Sequence, residues 1–171
     1  MTTTIRPNDV DFSSVVDLVQ AIQADPAKAQ TKWAAEVDWK RGFRTEARSR
    51  EFDGVAYDEP PALGGSNTAP NPVEQILGAY GSCLAIGYAA NACAQGIEIK
   101  DLKIELEGDL DLHTFLGLAD GNAGFSSIRA TVHLEADADL ATVEALHQKV
   151  VATSPVGHTI TRPVDVKVDL A

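Results

Sequence analysis

Apolar and polar positions change their rhythm several times along this chain, and each change predicts an element. Phe12, Val15, Val16, Leu18, Val19 and Ile22 recur at helical spacing, so residues 11–23 read as an amphipathic helix. Asp11 or Ser13 can cap it, and Asp25-Pro26 breaks it. Alternation then takes over. Residues 31–40 alternate around Trp33, Ala35, Val37 and Trp39, Arg41-Gly42 makes a turn, and residues 43–51 alternate again. In that second run Phe43, Thr45 and Ala47 share one face. Arg44, Glu46, Arg48 and Arg50 lie on the other face or at the ends. Residues 52–58, with Phe52, Val55 and Tyr57 around Asp53-Gly54, complete an expected antiparallel meander.

Residues 59–70 are dense in Pro, Gly, Ser and Asn and predict a loop. A long helix follows. Asn71 can cap it, Pro72 suits the first helical position, and Glu74 stands where it can return the cap bond. Gly96 tolerates the left-handed conformation that closes a helix. Beyond it, Ile97, Ile99, Leu102, Ile104 and Leu106 mark a strand over residues 97–112. A mixed loop then leads to a strand over residues 125–136, carrying Ile128, Ala130, Val132 and Leu134. Leu140, Val143, Leu146, Val150 and Val151 form the stripe of a second main helix over residues 139–153, which Ser154-Pro155 ends. Ile160, Val164, Val166 and Val168 predict a closing strand over residues 159–170. Helix, three strands, long helix, two strands, helix, strand is an α+β order without internal repeat. Residues 1–30 read as an extension with one helix, its first ten residues polar and poorly ordered, and residues 31–171 as one domain.

Composition sharpens the long helix. No charged residue stands between Glu74 and Glu98, and both cysteines of the chain, Cys83 and Cys93, fall in that span. The helix is long enough for a membrane span, but it is rich in Gly, Ala, Ser, Asn and Gln, so the expectation is a helix buried in protein. Gly78, Gly81 and Gly87 each cost about 1 kcal/mol against Ala in a helix, a cost tolerated where another backbone comes close.

The 171 residues suffice for one hydrophobic core. Hydrophobic content of 44% and 23% charged residues are those of an ordinary globular chain. A net charge of -11 argues against nucleic acid and against an anionic membrane surface as partners. No basic, apolar leader opens the sequence, and the expected location is the cytoplasm. Cys83 and Cys93 are ten residues apart, about 15 Å along a helix axis, whereas a disulfide needs Cα atoms within about 7 Å. They are expected to stay unpaired with each other. His113, His133, His147 and His158 are scattered without metal-ligand spacing, and neither metal nor cofactor is expected.

Three motifs carry a resemblance: Leu63-Gly64-Gly65, Pro70-Asn71-Pro72-Val73-Glu74, and Gly81-Ser82-Cys83-Leu84-Ala85. It extends through Gly108-Asp109-Leu110 and Gly124-Phe125 to Ser154-Pro155 and the last strand. By these the chain, over residues 31–171, resembles the OsmC-like family, which includes osmotically inducible protein C and the organic hydroperoxide resistance proteins. The resemblance implies antiparallel sheets wrapped around a long central helix, in an intertwined homodimer. It also implies thiol peroxidase chemistry. A cysteine on the long helix attacks the peroxide, a second cysteine after the second helix resolves it, and an arginine on an early strand and a loop glutamate assist.

Cys83 takes the first cysteine position and Arg44 best matches the arginine, with Arg41 and Arg48 competing. Ser154 stands where the second thiol would be, and Ala62 where the glutamate would be, with Glu59 nearby. Two functions follow. In one, Cys83 reduces organic hydroperoxides with an external small thiol or dithiol as reductant. In the other, a non-catalytic dimer holds a small apolar or acyl ligand in its interface pocket. A free thiol is a weak nucleophile until a nearby cation or a helix N-terminus favours its thiolate, and Cys83 is too deep in its helix for the latter. The bland alternatives are a small core residue for Cys83 and Cys93, a solvated strand charge for Arg44, and a helix-end residue for Ser154.

Overall fold

The computed structural model describes residues 7–170 and divides into two units, which are taken one at a time. The first comprises Ser13–Ile76. It opens with α1 (Ser13–Ala24), whose Val15, Val16, Leu18 and Val19 remain exposed. Asp25 then caps a short 3-10 turn through the Ala27 amide.

Three antiparallel strands follow in the order β1 (Glu36–Arg41), β2 (Arg44–Arg48), β3 (Val55–Tyr57). The register sets Val37 opposite Ala47, Asp38 opposite Glu46 and Trp39 opposite Thr45. Alternation puts Asp38, Lys40, Glu46 and Arg48 on one face. There Arg48 pairs with both Asp38 and Glu46, and Lys40 reaches Glu46 at 3.3 Å. The ladder slips before Arg41, where Gly42 takes φ +58° and the Trp39 indole N–H donates to the Gly42 carbonyl at 2.8 Å. The meander is thus the expected one, with shorter strands than alternation alone suggests.

The loop after β3 is fastened by Asp58, a carboxylate 1% exposed. It accepts from the amides of Glu59, Ser66 and Thr68 and from the Thr68 hydroxyl. Those bonds hold its carboxyl down at about 2, with the Thr68 amide the largest cause. The Leu-Gly-Gly motif has a steric reading here. Gly64 takes φ +86° to close the turn Pro61–Leu63, and a Cβ on Gly65 would lie 1.8 Å from the Glu59 carbonyl oxygen. The capping box then starts α2 (Pro72–Gln95) as its sequence predicts: Asn71 Oδ1 accepts from the Glu74 amide at 2.9 Å, and Glu74 Oε2 from the Asn71 amide at 2.8 Å.

The second unit runs from Leu77 onward and includes the described residues up to Phe12. Its two-stranded sheet pairs β4 (Ile99–Leu110) with β5 (Phe125–Ala136), antiparallel, with α3 (Leu112–Phe115) in the connection. On the open face, Arg129 stands opposite Glu107 and bonds it at 2.7 Å. The other face supplies Ile99, Leu102, Ile104, Val132 and Leu134, which pack against a buried cluster of Leu84, Tyr88, Ala92, Ile97, Leu146 and Val150. Leu84, Tyr88 and Ala92 are one turn apart on α2; Leu146 and Val150 are one turn apart on α4 (Leu140–Thr153), capped by Asp139.

The glycines of α2 mark close approaches. A Cβ on Gly81 would lie 2.7 Å from Leu106 Cδ1, and one on Gly87 3.0 Å from Val150 Cγ1. The α2 helix is therefore wedged between the hairpin and α4.

Two sequence expectations are corrected. Residues 7–10 are tied in rather than loose: Asn8, at φ +61°, donates its side-chain amide to the Ile97 carbonyl and accepts from the Ile99 amide. Its side chain stands in for a neighbouring strand. Residues 1–6 lie outside the described residues. The closing strand also differs. Ser154 caps a new helix, α5 (Pro155–Thr161), which takes Thr159 and Ile160 out of the expected strand. Residues 162–170 are exposed and without regular structure, because alternation alone makes no strand without a ladder partner.

Candidate functional site

Cys83 lies midway along α2, half-buried and unbridged. Its sulfur faces the junction of α4 and α5. Cys83 Sγ is 3.2 Å from Ser154 Oγ, and Ser154 is 4% exposed. The same oxygen accepts from the Gly157 amide at 3.1 Å. Local sequence dictates this arrangement. Ser154 is the cap, Pro155 fills the first helical position, and Gly157 is the residue whose amide reaches back. Gly157 is also tightly packed: a Cβ there would lie 3.1 Å from Tyr80 Cε2 and from the Ser154 side chain, so these neighbours would have to give by a few tenths of an ångström. Cys83, Tyr80, Ser154 and Gly157 thus form one packed cluster.

The contacts between α2 and α4 continue away from it. Gly87 meets Val150, and beyond it the buried Tyr88 hydroxyl shares a hydrogen bond with His147 Nδ1, with the two rings stacked at 6.2 Å between centroids. Burial pushes the Tyr88 phenol up, so it keeps its proton. Residue numbers rise on α2 as they fall on α4, so the two helices run antiparallel. A cleft of about 640 Å³ between α4 and β5 opens over this pair and is lined by Val132, Leu134, Val143 and Gln148. Cys83 does not line it.

Of the three competing arginines, two are engaged. Arg48 pairs with Asp38 and Glu46, and Arg41 stacks over the Trp39 ring at 5.6 Å. Arg44 opens β2 in the first unit, exposed and without a side-chain partner among the described residues. Ala62 sits in the turn Pro61–Leu63, where its methyl offers no carboxylate. Glu59 does not replace it freely: its Oε2 takes the Asn71 side-chain amide at 3.4 Å. Cys93 is half-buried and points its sulfur to the Val10 carbonyl at 3.8 Å. Sequence reasoning missed Asp58 and Tyr88–His147. A lone Asp before a Pro-rich loop reads as a solvated turn acid, and Tyr88 reads as one more core position.

Comparison with known proteins follows the same lines. The family model described as OsmC-like protein matches residues 65–169. Among solved structures, an OsmC-like protein from Mycoplasma pneumoniae superposes with a TM-score of 0.66 at 17% identity, over 77% of this chain and 88% of its own. An organic hydroperoxide resistance protein OsmC from Legionella pneumophila gives 0.59 at 21% identity, over 81% and 96%. The organic hydroperoxide resistance protein OhrB of Bacillus subtilis gives 0.51 at 24% identity, over 81% and 98%. At these identities the likeness is one of fold. No curated protein matches this sequence.

Proposed function

This chain belongs to the OsmC-like protein family, and we propose that it reduces organic hydroperoxides through Cys83, with an external thiol closing the cycle. The observation that carries the reading is the 3.2 Å contact of Cys83 Sγ with Ser154 Oγ. It joins the position of the attacking cysteine to the position where a resolving cysteine would stand. The Legionella pneumophila and Bacillus subtilis proteins are both named organic hydroperoxide resistance proteins, which supports the substrate class.

The steps balance without a cofactor. The Cys83 thiolate attacks the terminal peroxide oxygen; an S–O bond forms, the O–O bond breaks, and the alkoxide leaves as alcohol on taking a proton. Cys83 is then a sulfenic acid. Ser154 cannot form a disulfide, so an external thiolate attacks Cys83 sulfur, the S–O bond breaks and water leaves. A second external thiol group displaces Cys83 from the mixed disulfide and restores it. A dithiol supplies both steps in one molecule. Arg44 is the cation we assign to the peroxide and thiolate, since Arg41 and Arg48 are already engaged.

We assign the working unit as a homodimer. The α2 helix has no charge between Glu74 and Glu98, yet Ile86 is 69% exposed on it. A second copy would cover that face.

The test is steady-state turnover of cumene or tert-butyl hydroperoxide with dihydrolipoamide. Cys83→Ser is expected to abolish it, and Arg44→Ala to lower kcat/KM by about 10²-fold, well beyond Arg41→Ala. A Cys83→Ser protein that turns over as fast as the wild type rules the reading out. The second reading is a dimer that holds a small apolar or acyl ligand without redox chemistry. It is favoured by Ala62 and by the engagement of Glu59 with Asn71, which leave no glutamate for the site. It predicts ligand retained through purification and slow peroxide oxidation of Cys83.

A further inference from the structure

We infer that Ser154 is a positioning residue whose hydroxyl proton is given to the Cys83 sulfur, so that Cys83 is held as a hydrogen-bond acceptor. The direction of the bond follows from counting protons. Ser154 Oγ has one proton to donate and accepts one already, from the Gly157 amide at 3.1 Å. The hydroxyl is buried, at 4% exposure, so bulk water does not compete for that proton. Among the described residues its only other partner is Cys83 Sγ, at 3.2 Å. Were the thiol to donate instead, the serine proton would be left buried without an acceptor, which folded proteins avoid. The proton therefore points at sulfur.

A hydroxyl donor aimed at sulfur makes its stronger bond when the acceptor is charged. The same donor serves the oxidised form. After sulfur has taken up an oxygen, the hydroxyl remains beside it and can bond the sulfenate. Ser154 thus replaces a resolving thiol by a donor: it favours attack and then holds the oxidised sulfur for an outside thiol. The inference rests on Cys83 being the reactive thiol, but not on what the thiol reacts with.

The experiment separates the two. Alkylation of Cys83 by iodoacetamide at one neutral pH is followed by peptide mass spectrometry in the wild type and in Ser154→Ala, Ser154→Gly and Ser154→Thr. Glycine is a tolerable helix cap, so S154G removes the donor with little loss of the cap and covers the case in which S154A fails to fold. The alkylation rate is expected to fall about three- to tenfold in S154A and S154G, the loss of one hydrogen bond to a charged acceptor, and to return in S154T. After one equivalent of cumene hydroperoxide, the dimedone-reactive Cys83 is expected to decay faster in S154A and S154G than in the wild type. Unchanged or faster alkylation in folded S154A and S154G overturns the inference, even where Cys83→Ser abolishes turnover. Slowed alkylation in a protein without peroxidase turnover sinks the peroxidase reading and leaves the donor role standing.

Discussion

Ser154 and Asp58 show how much a single buried oxygen settles. The geometry at Ser154 makes a direct prediction. A thiol in place of that hydroxyl would bring its sulfur within a small shift of Cys83, since Sγ and Oγ already lie 3.2 Å apart and a disulfide needs about 2.05 Å. Ser154→Cys is expected to form a disulfide between Cys83 and the introduced thiol under mild oxidant, lowering the free-thiol count and giving a cross-linked peptide in mass spectrometry. Two thiols that stay free would show that the apposition is wrong. At Asp58, the pKa of about 2 lies below the roughly 3.9 of an unfolded Asp. A depressed carboxylate contributes stability that is present above the unfolded value and lost as pH falls through the folded one. Wild-type Tm should therefore fall between about pH 4 and pH 2 relative to Asp58→Asn, and the gap between the two should close over that window. Parallel Tm curves would contradict it. Neither role is visible in sequence alone, because a serine before proline and an aspartate before a loop have ordinary uses as caps and turns.

At the scale of elements, the strongest signals in sequence are those that are local. The α2 helix starts and ends where Asn71, Pro72, Glu74 and Gly96 place its limits, because capping is a matter of neighbouring residues. The last segment could not be read that way. Its alternation of Val164, Val166 and Val168 carries a strand signal, but a strand needs a partner, and upstream the Ser154-Pro155 start commits Thr159 and Ile160 to α5. The anchoring of Asn8 on Ile97 and Ile99 is likewise long-range, and no local pattern announces it. Two element-scale outcomes follow. Leu146→Ala, at 1% exposure in the contact between α2 and α4, is expected to cost about 2–5 kcal/mol in urea unfolding. Gly65→Ala would set a methyl against the Glu59 carbonyl, so the loop must move, and a loss of more than about 2 kcal/mol is expected. A near-neutral G65A would mean that the loop after β3 is more yielding than its packing implies.

For the whole molecule, membership of the OsmC-like family rests on the match over residues 65–169 and agrees with an α+β chain of antiparallel sheets and a long helix that carries no charge beyond Glu74. The motifs that made the fold legible are mostly architectural here: Gly64 and Gly65 for the loop, Asn71 and Glu74 for the cap, Gly81 for the approach of Leu106. Of these motifs only Gly81-Ser82-Cys83-Leu84-Ala85 includes a side chain able to act as a nucleophile, which explains why fold was easier to read than function. Assembly has its own test. Ile86→Arg puts a charge on the open face of α2 and is expected to convert a dimer to monomer in light scattering, with turnover falling alongside. The central claim, that Cys83 is the peroxide-reactive group, is met most directly by a single-turnover experiment. Reduced protein is given one equivalent of cumene hydroperoxide, trapped with dimedone, and mapped by peptide mass spectrometry. A rapid adduct is expected on Cys83, little on Cys93, and none in Cys83→Ser. An unmodified Cys83 in protein that has consumed the peroxide, or one that stays reduced while the peroxide persists, would contradict it.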